Sequence, residues 1–291
     1  MSYTIKIADI NDADVDFEVR NLIRLVYKTA DLLPEKYLAA NIRSSSSKQS
    51  LFLVALEEGK IIGCNAFIAD EFVLDDKVYI GYQSCWTATH PEHRGRHIFS
   101  TIINEAKKIL KEHGAGFLYG IANNQSNPIF TQKLAFRETA SLVLRIPNVP
   151  VIKYFYFTGK LLQHDHVCKI NEELVKDRKA LQYPSEVKVV RYNNSWLWGK
   201  RIRKKKFGLQ LPVFYVGGVQ LDKEKDLSGL ISAVFKLKPV LFIQFFTCKT
   251  NTFNMLLRGW SKSKMNGFIF YNLNMPEFEH LDLMIGPIDI F

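Results

Sequence analysis

The sequence predicts an α/β protein with a mixed sheet, and three observations lead to that class. Strand-like and helix-like hydrophobic patterns alternate between residues 4 and 146. Apolar residues recur at three- and four-residue steps over residues 98–110, which is typical of a helix with one buried face. A further strand, helix and strand series lies between residues 207 and 273. The 291 residues fit one large domain or two medium ones, and the two series favour two domains, at 1–147 and 148–291.

The first half is predicted to open with a strand at residues 4–8 and two helices. The second helix is expected to begin near Pro34, because proline is favoured in the first helical turn. The serine-rich run at 44–50 marks a loop. The apolar residues expected to face the core from the first helix are Phe17, Leu22, Leu25 and Val26.

Strands and helices alternate through the rest of the first half. The tripeptide E-E-G is expected to join the first two of these strands as an antiparallel hairpin, and Gly114 to end the amphipathic helix. The acidic residues Glu71, Asp75 and Asp76 are interpreted as belonging to a turn. The predicted ranges are strands at 51–56, 60–69 and 77–89, the helix at 98–110, a strand at 117–121, a helix after it, and a strand at 137–146.

The second half begins after a boundary marked by Pro147 and Pro150. An extended segment at 151–157 and a mixed, partly helical segment at 161–183 come first. The predicted elements after them are two strands within 207–221, a helix at 227–237, a buried strand at 240–246, a helix at 252–260 and a strand at 267–273.

The formal net charge is +10 and the calculated pI is about 9.3. This excess suits an acidic partner such as a phosphate-bearing ligand. Much of it is local, because residues 200–206 hold six cations among seven residues. No aromatic residues suited to base stacking accompany that run, so a solvated loop or strand edge is favoured over a nucleic-acid site.

The four cysteines lie far apart, without the C-x-x-C spacing of a zinc or redox site. Three of them stand in apolar runs, which favours buried thiols and a reducing, cytoplasmic setting. The N-terminus lacks the pattern of a secretory signal, and no apolar run approaches the roughly 20 residues of a membrane span. We therefore expect a soluble protein with no metal site.

A strand is predicted to run through a basic turn into the amphipathic helix within residues 86–110. Residues 94–99 would then lie at a helix N-terminus, where unpaired N–H groups and the helix dipole favour an anion. Arg94 and Arg96 add positive charge at the same place. The sequence thus predicts a phosphate site in this turn.

The string P-E-H-R-G-R-H-I-F resembles the acyl-CoA phosphate loop of the GNAT superfamily of N-acyltransferases. The family pattern is Arg or Gln, two residues, Gly, one residue, then Gly or Ala, and Arg94 takes its first place. His97 stands where the family has Gly, and Phe99 where it has Gly or Ala. We expect both to be tolerated, since the first turn of a helix does not require a positive φ, although their side chains would narrow the loop.

A second motif, about 30 residues further on, strengthens the resemblance. In GNAT proteins an Asn after the fifth strand opens a helix beside the pantetheine arm, and Asn123 or Asn124 matches it. Thr131 stands where the family often has the Tyr that protonates the departing thiolate. The apolar positions of the motif are matched by Phe130, Leu134 and Phe136.

The resemblance implies the GNAT fold, with a mixed and splayed central sheet, in the first half. The second half would be a degenerate GNAT-like copy that binds no CoA, and the chain end is similar to that of a group of bacterial GNAT proteins. Acetyl-CoA is the implied co-substrate, with no metal. The residues implied to bind it are Thr87, Ala88 and Thr89 for pantetheine, Gly95, Arg96, His97, Ile98 and Phe99 together with Arg94 for the pyrophosphate, and Asn123, Asn124 and Phe130 of the second motif.

The base that deprotonates the acceptor is not evident, because the fourth strand carries no carboxylate between residues 79 and 89. Gln83 is a weak candidate for a catalytic role on that strand. By analogy with N-myristoyltransferases, Asp289 or the terminal carboxylate of Phe291 could act as the base. His90 and His93 are interpreted as surface residues or neighbours of CoA.

The resemblance therefore implies an acetyl-CoA-dependent N-acetyltransferase that transfers the acyl group directly to a primary amine of a small molecule, such as an amino sugar. The alternative is a non-catalytic module that binds acyl-CoA or another ligand and has lost the transfer activity. A nucleic-acid-binding protein is the least favoured class. The oligomeric state is left open, with a dimer as one option.

Overall fold

A computed structural model describes residues 2–148, 167–206, 208–237, 240–248, 261–278 and 280–284. Two compact units emerge from it. The first contains Met1–Phe72, Val78–Glu138 and Ile269–Glu277, and the second contains Val73–Lys77, Thr139–Phe268 and Phe278–Phe291. The predicted domains at 1–147 and 148–291 stay a prediction about which segments fold on their own.

The first unit carries a mixed sheet. Its strands lie in the order β1-β2-β3-β4-β5, with the end of β12 beside β5. β1 and β3 are antiparallel to β2, whereas β4 and β5 are parallel to each other. The elements are β1 (Thr4–Ile7), α1 (Ala13–Tyr27), α2 (Tyr37–Asn41), β2 (Leu51–Glu57), β3 (Lys60–Leu74), β4 (Lys77–Thr89), α3 (Ile98–Glu112), β5 (Phe117–Ile121) and β12 (Ser261–Asn272).

Helices cover both faces of this sheet. The apolar side of α3 is buried against one face, as its three- and four-residue spacing predicts. α1 and α2 pack on the other face through Val19, Leu22 and Leu38. The prediction that Phe17 and Leu25 face the core is wrong, because 54% and 47% of their surfaces are exposed.

A short helix and a tight turn of this unit correspond to two predicted features. The helix expected near Pro34 begins at Tyr37 and lasts five residues. The hairpin between β3 and β4 turns at Asp75 and Asp76, whose φ angles are 48° and 60°. Short acidic side chains tolerate this left-handed conformation, and the prediction of an acidic turn is confirmed at these two residues. It is wrong for Glu71, which lies within β3.

Strand β4 contains an irregularity near its end. Trp86 has a φ of 50°, and both Cys85 and Trp86 pack into the hydrophobic cluster under α1 and α2. Two consecutive side chains on one face indicate a β-bulge, since side chains of a regular strand alternate between the faces. The bulge lies between the last residues that pair with β5 and the turn that leads to α3.

The second unit contains a sheet with the strand order β6-β11-β10-β9-β8. β10, α5 and β11 form a parallel β-α-β unit, which confirms the predicted strand, helix and strand series over these residues. Buried residues of α5 pack on one sheet face. The elements are β6 (Arg137–Pro147), β7 (Val167–Ile170), α4 (Glu172–Gln182), β8 (Val187–Tyr192), β9 (Ser195–Lys206), β10 (Leu209–Gln220), α5 (Asp226–Leu237), β11 (Phe242–Cys248) and β13 (His280–Asp282).

One prediction in this unit is wrong and two lie outside the described residues. The two strands predicted within 207–221 are the single strand β10, which forms a hairpin with β9 around a turn at Gly208. The cationic run is the second half of β9, where residues 201–206 pair with β10 but extend beyond the end of β8. The extended segment at 151–157 and the helix at 252–260 fall outside the described residues.

All four cysteines are free. Cys64, Cys168 and Cys248 are buried, as their apolar neighbours in the sequence predict, and burial raises the pKa of the Cys64 thiol to about 12. A search of the described helices for one long and apolar enough to cross a membrane finds none.

Candidate functional site

Strands β4 and β5 separate in the middle of the first unit. They pair in parallel at Gly81 with Phe117 and at Tyr82 with Leu118, and the last paired row is Gln83 with Tyr119. β4 continues for six more residues, to Thr89. Its backbone groups beyond Gln83 are therefore not joined to β5, and an extended ligand can hydrogen-bond to such an edge as an added strand does.

The turn after β4 leads directly to the N-terminus of α3. A short 3-10 turn at Pro91–His93 is followed by Gly95 and His97, whose φ angles are 81° and 61°, and α3 begins at Ile98. The first N–H groups of a helix have no acceptor four residues back. The N–H groups of Ile98, Phe99 and Ser100 therefore lie at the N-terminus of a helix of 15 residues. A helix N-terminus of this kind favours an anion.

The expectation that the loop needs no positive φ is wrong at His97. The residue occupies the N-cap position in the left-handed conformation, which glycine adopts freely and other residues adopt at a cost of about 1–2 kcal/mol. Glycine at this place in the family pattern therefore has a backbone reason as well as a steric one. The side chain of His97 is exposed, so the loop does not have to bury it.

We expect His97→Gly to raise the free energy of unfolding by about 0.5–1 kcal/mol, because it relieves the left-handed strain. Urea denaturation followed by circular dichroism measures the change. The matched control is His113→Gly at the other end of α3, where φ is −80° and glycine relieves no strain. An equal gain of stability in both variants, or a loss of stability in His97→Gly, would contradict the assignment of left-handed strain to His97.

The two arginines of the loop have different surroundings. Arg94 is exposed, and no ion pair joins it to the other described residues. Arg96 forms a two-pronged ion pair with Glu57, at 2.6 and 2.9 Å, and this pair lowers the pKa of Glu57. Its Nη1 also lies 2.7 Å from Nδ1 of His93. Arg94 is thus the cation available to a ligand, while Arg96 anchors the loop to β2.

Tyr3 fixes the loop from another direction. Its hydroxyl lies 3.2 Å from the carbonyl oxygen of Arg96 and 2.9 Å from Oγ1 of Thr101. The guanidinium of Arg96 lies 5.8 Å from the centre of the Tyr3 ring. The turn is therefore held before any ligand binds, and less conformational entropy is lost on binding.

The second predicted motif forms a capped turn after β5. Asn123 is the capping residue, because its Oδ1 accepts hydrogen bonds from the N–H groups of Gln125 and Ser126, both at 2.9 Å. Asn124 makes no corresponding bond among the described residues. The predicted helix is short, a single π-helical segment at Ile129–Lys133. Of the two asparagines that match the family motif, Asn123 is therefore the one that caps this turn.

The aromatic residues of the two motifs pack against each other. Phe130 is buried, and its ring lies 5.2 Å from that of Phe99 in an edge-to-face arrangement. Phe99 therefore packs toward the core, although it replaces a small residue of the family pattern. The hydroxyl of Thr131, at the place of the family's Tyr, donates to the carbonyl of Asn127 at 2.9 Å.

A buried polar cluster lies on the sheet face under α1 and α2. The carboxylate of Asp70, on β3, accepts hydrogen bonds from the hydroxyls of Ser45 and Tyr119. Gln83, on the strand between them, is in register with Tyr119 and has no exposed surface. Neither polar atom of its carboxamide has a hydrogen-bond partner among the described residues. An unpartnered amide at the point where the strands separate is a group that a bound ligand can satisfy.

A second network holds the far end of β4. The buried side chain of Asn65 accepts a hydrogen bond from Thr87 and exchanges hydrogen bonds with Ser84 at 3.1 and 3.3 Å. The hydroxyl of Tyr27 donates to the carbonyl of Thr87 at 2.9 Å. Of the residues predicted to contact pantetheine, Thr87 is therefore held by two side chains, and Ala88 is buried.

Sequence reasoning missed Asp70, Tyr119 and Asn65. A signal was present for two of them, since Asn65 and Asp70 are polar residues within the otherwise apolar pattern of β3. Such residues are buried only where partners exist, and the partners come from β4, β5 and the loop before β2. Asp289 and Phe291 lie outside the described residues, so their assignment as base stays a prediction.

The described geometry combines a splayed pair of parallel strands with a turn that leads from the longer strand to the N-terminus of a helix. Residues 7–137 match the Acetyltransferase (GNAT) domain family. Among curated proteins, none matches the chain in sequence.

Solved structures of low sequence identity share the fold. A GCN5-related N-acetyltransferase from Kribbella flavida has a TM-score of 0.64 at 9% identity, with 94% of this chain and 72% of that chain covered. One from Anabaena variabilis has a TM-score of 0.63 at 11% identity, with 94% and 73% covered. Eis1 from Mycobacterium abscessus has a TM-score of 0.59 at 10% identity, with 94% and 74% covered.

The family match over residues 7–137 supports an N-acyltransferase of the acyl-CoA-dependent class. Residues 7–137 match the GNAT acetyltransferase family, as the resemblance of residues 91–99 and 117–136 predicted. The predicted fold class and the predicted enzyme class are confirmed. The individual residues assigned to acetyl-CoA stay predictions.

Proposed function

We propose that the protein is an acetyl-CoA-dependent N-acetyltransferase that transfers the acetyl group directly to a primary amine of a small molecule, such as an amino sugar. The observation that supports it best is the geometry between Gln83 and Ile98. There β4 separates from β5 and then leads to the N-terminus of α3. A phosphate end and a strand-like arm are what acetyl-CoA presents to such a site.

In this proposal the backbone holds most of the co-substrate. The free N–H groups at the start of α3 and the exposed Arg94 bind the pyrophosphate, while Ala88 and Thr89 offer backbone groups to the pantetheine arm. Holding the thioester in place next to the amine supplies a large part of the rate. Acetyl-CoA itself brings the activated acyl group.

We assign the carboxamide of Gln83 to the reacting end of the site. It lies in the last row that β4 shares with β5, and within the part of the chain that the structure describes both of its polar atoms lack partners. A buried N–H group in this position can donate to the thioester oxygen as negative charge develops there. This assignment gives the unpartnered amide a function and extends the weak catalytic role predicted for Gln83.

Arg94→Gln tests the phosphate site. We expect the variant to bind acetyl-CoA about tenfold more weakly, because one charge-assisted contact is lost, and to show a smaller dependence on salt. Isothermal titration calorimetry at two ionic strengths measures both effects. Arg191→Gln, which removes an exposed arginine from β8 in the second unit, is the matched control and should bind normally.

Thiol release with a panel of primary amines separates catalysis from binding. Release with an amine and not with water alone supports the transfer activity. Tight acetyl-CoA binding with no release across the panel would instead support the alternative, a binding module that has lost the chemistry. Absence of acetyl-CoA binding at millimolar concentration would contradict the transfer activity and an acyl-CoA-binding module alike.

A further inference from the structure

One residue of the cationic run, Lys204, is half-buried in the second unit, which a solvated strand edge does not explain. Side chains of β9 alternate between the two sheet faces. Arg201, Arg203 and Lys205 point to one side and are exposed, whereas Lys204 is half-buried on the other. The Nζ of Lys204 donates to Oε1 of Gln244 at 3.1 Å.

Gln244 belongs to a row of polar side chains that crosses the sheet. It is in register with Arg145 of β6 on one side and with Tyr215 of β10 on the other. Their sequence neighbours Leu144, Phe214 and Ile243 pack under α5. The polar row therefore lies on the face opposite α5, where a sheet of this kind usually carries apolar residues or faces water.

The row carries positive charge, and no acidic residue that the structure describes balances it. Arg145 and Lys204 flank the same buried glutamine, which is 2% exposed, and among the described residues neither cation lies within ion-pair distance of a carboxylate. Burial, and to a smaller degree the charge of Arg145, lowers the pKa of Lys204. Two half-buried like charges that share a neighbour destabilise the protein unless an anion binds there.

The remaining groups suit a small oxyanion. Arg145 offers a planar fork of donors, and Lys204 offers a compact charge. The ring of Tyr215 lies 5.3 Å from the Nζ of Lys204, so its flat face restricts the position of that ammonium group. A site bounded by a fork, a point charge and an aromatic ring takes one carboxylate or phosphate group.

We propose that Arg145 and Lys204 form a binding site for the carboxylate or phosphate group of a small molecule, on the sheet face of the second unit opposite α5. The site is separate from the phosphate loop, since all of its residues belong to the second unit. It gives a specific role to one residue of the cationic run and leaves Arg201, Arg203 and Lys205 as solvated charges.

Competitive lysine labelling tests the site on the natural sequence. The protein is treated with trace acetic anhydride, with and without inorganic phosphate at constant ionic strength, and the modification of each lysine is measured by mass spectrometry. At ten times the dissociation constant, phosphate should slow the labelling of Lys204 about tenfold and leave Lys205 unchanged. Citrate in place of phosphate shows whether the site also takes carboxylates. Equal protection of Lys204 and Lys205 would overturn the proposal, because it would indicate a diffuse polyanion surface.

Two variants sharpen the result. Arg145→Gln should weaken the protection of Lys204 at least tenfold in phosphate concentration, whereas the matched variant Arg203→Gln on the opposite face should not change it. In chloride buffer, Arg145→Gln should also have the same or a higher melting temperature, since it removes a repulsion. If both variants lose protection alike, or neither does, the site is not at Arg145. The labelling of the natural protein decides the question even if a variant does not fold.

Discussion

Replacement of Gln83 by methionine is expected to stabilise the protein and to slow acetyl transfer at the same time. Methionine has nearly the shape of glutamine, and it removes two buried polar atoms that have no hydrogen-bond partner in the described parts of the chain. We expect the free energy of unfolding to rise by about 1–2 kcal/mol. If the carboxamide donates to the reacting thioester, kcat should fall about 10- to 100-fold.

The measurements are urea denaturation and the steady-state rate of thiol release with a productive amine. Gln244→Met is the matched control for stability, because Gln244 is an equally buried glutamine whose Oε1 has a partner. That variant should be less stable than the natural protein. A Gln83→Met enzyme with unchanged kcat would remove Gln83 from the reaction, and a loss of stability would show that the amide has a structural role.

Replacement of Asp70 by alanine is expected to produce the largest loss of stability. The hydroxyls of Ser45 and Tyr119 would lose a buried acceptor, and a void would remain beside rings of Phe72 and Tyr119, whose centres are 5.1 Å apart. Each unsatisfied buried group costs about 1–3 kcal/mol, so we expect a decrease of about 3–5 kcal/mol. Urea denaturation measures it.

Two comparisons identify the cause of that loss. Glu71→Ala, at the next position of β3, should cost less than about 1 kcal/mol, because Glu71 is more exposed. Tyr119→Phe should cost much less in the Asp70→Ala background than in the natural protein, since the hydroxyl no longer has an acceptor to lose. Additive effects would mean that the hydrogen bond between these two residues contributes little.

Much of the fold follows from patterns that are local in sequence. β4 covers the predicted residues 77–89, and α3 begins at the predicted Ile98, because alternation and helical spacing are strong over these lengths. Phe17 and Leu25 were misassigned because an apolar residue next to a helical stripe is not distinguished from one within it. The hairpin of β9 and β10 was missed because six cations among the seven residues 200–206 hide the alternation that remains.

The candidate site likewise has a part that is local in sequence and a part that is not. The turn between β4 and α3 could be predicted, since it depends on residues within one short segment. The cluster of Asp70, Tyr119 and Gln83 could not, since its members come from three different strands and only the register of β4 with β5 brings two of them together. The pairing of Arg96 with Glu57 is of the same kind, since the two residues are 39 positions apart.

The bulge at Trp86 also provides an optical probe. Trp86 is the one tryptophan in the sequence of the first unit, while Trp196, Trp198 and Trp260 belong to the second. A variant with phenylalanine at these three positions would report on the first unit through a single fluorophore, buried and 6.0 Å from the ring of Tyr37. Comparing its unfolding curve with that of a Trp86→Phe variant would show whether the two units melt in one transition or in two.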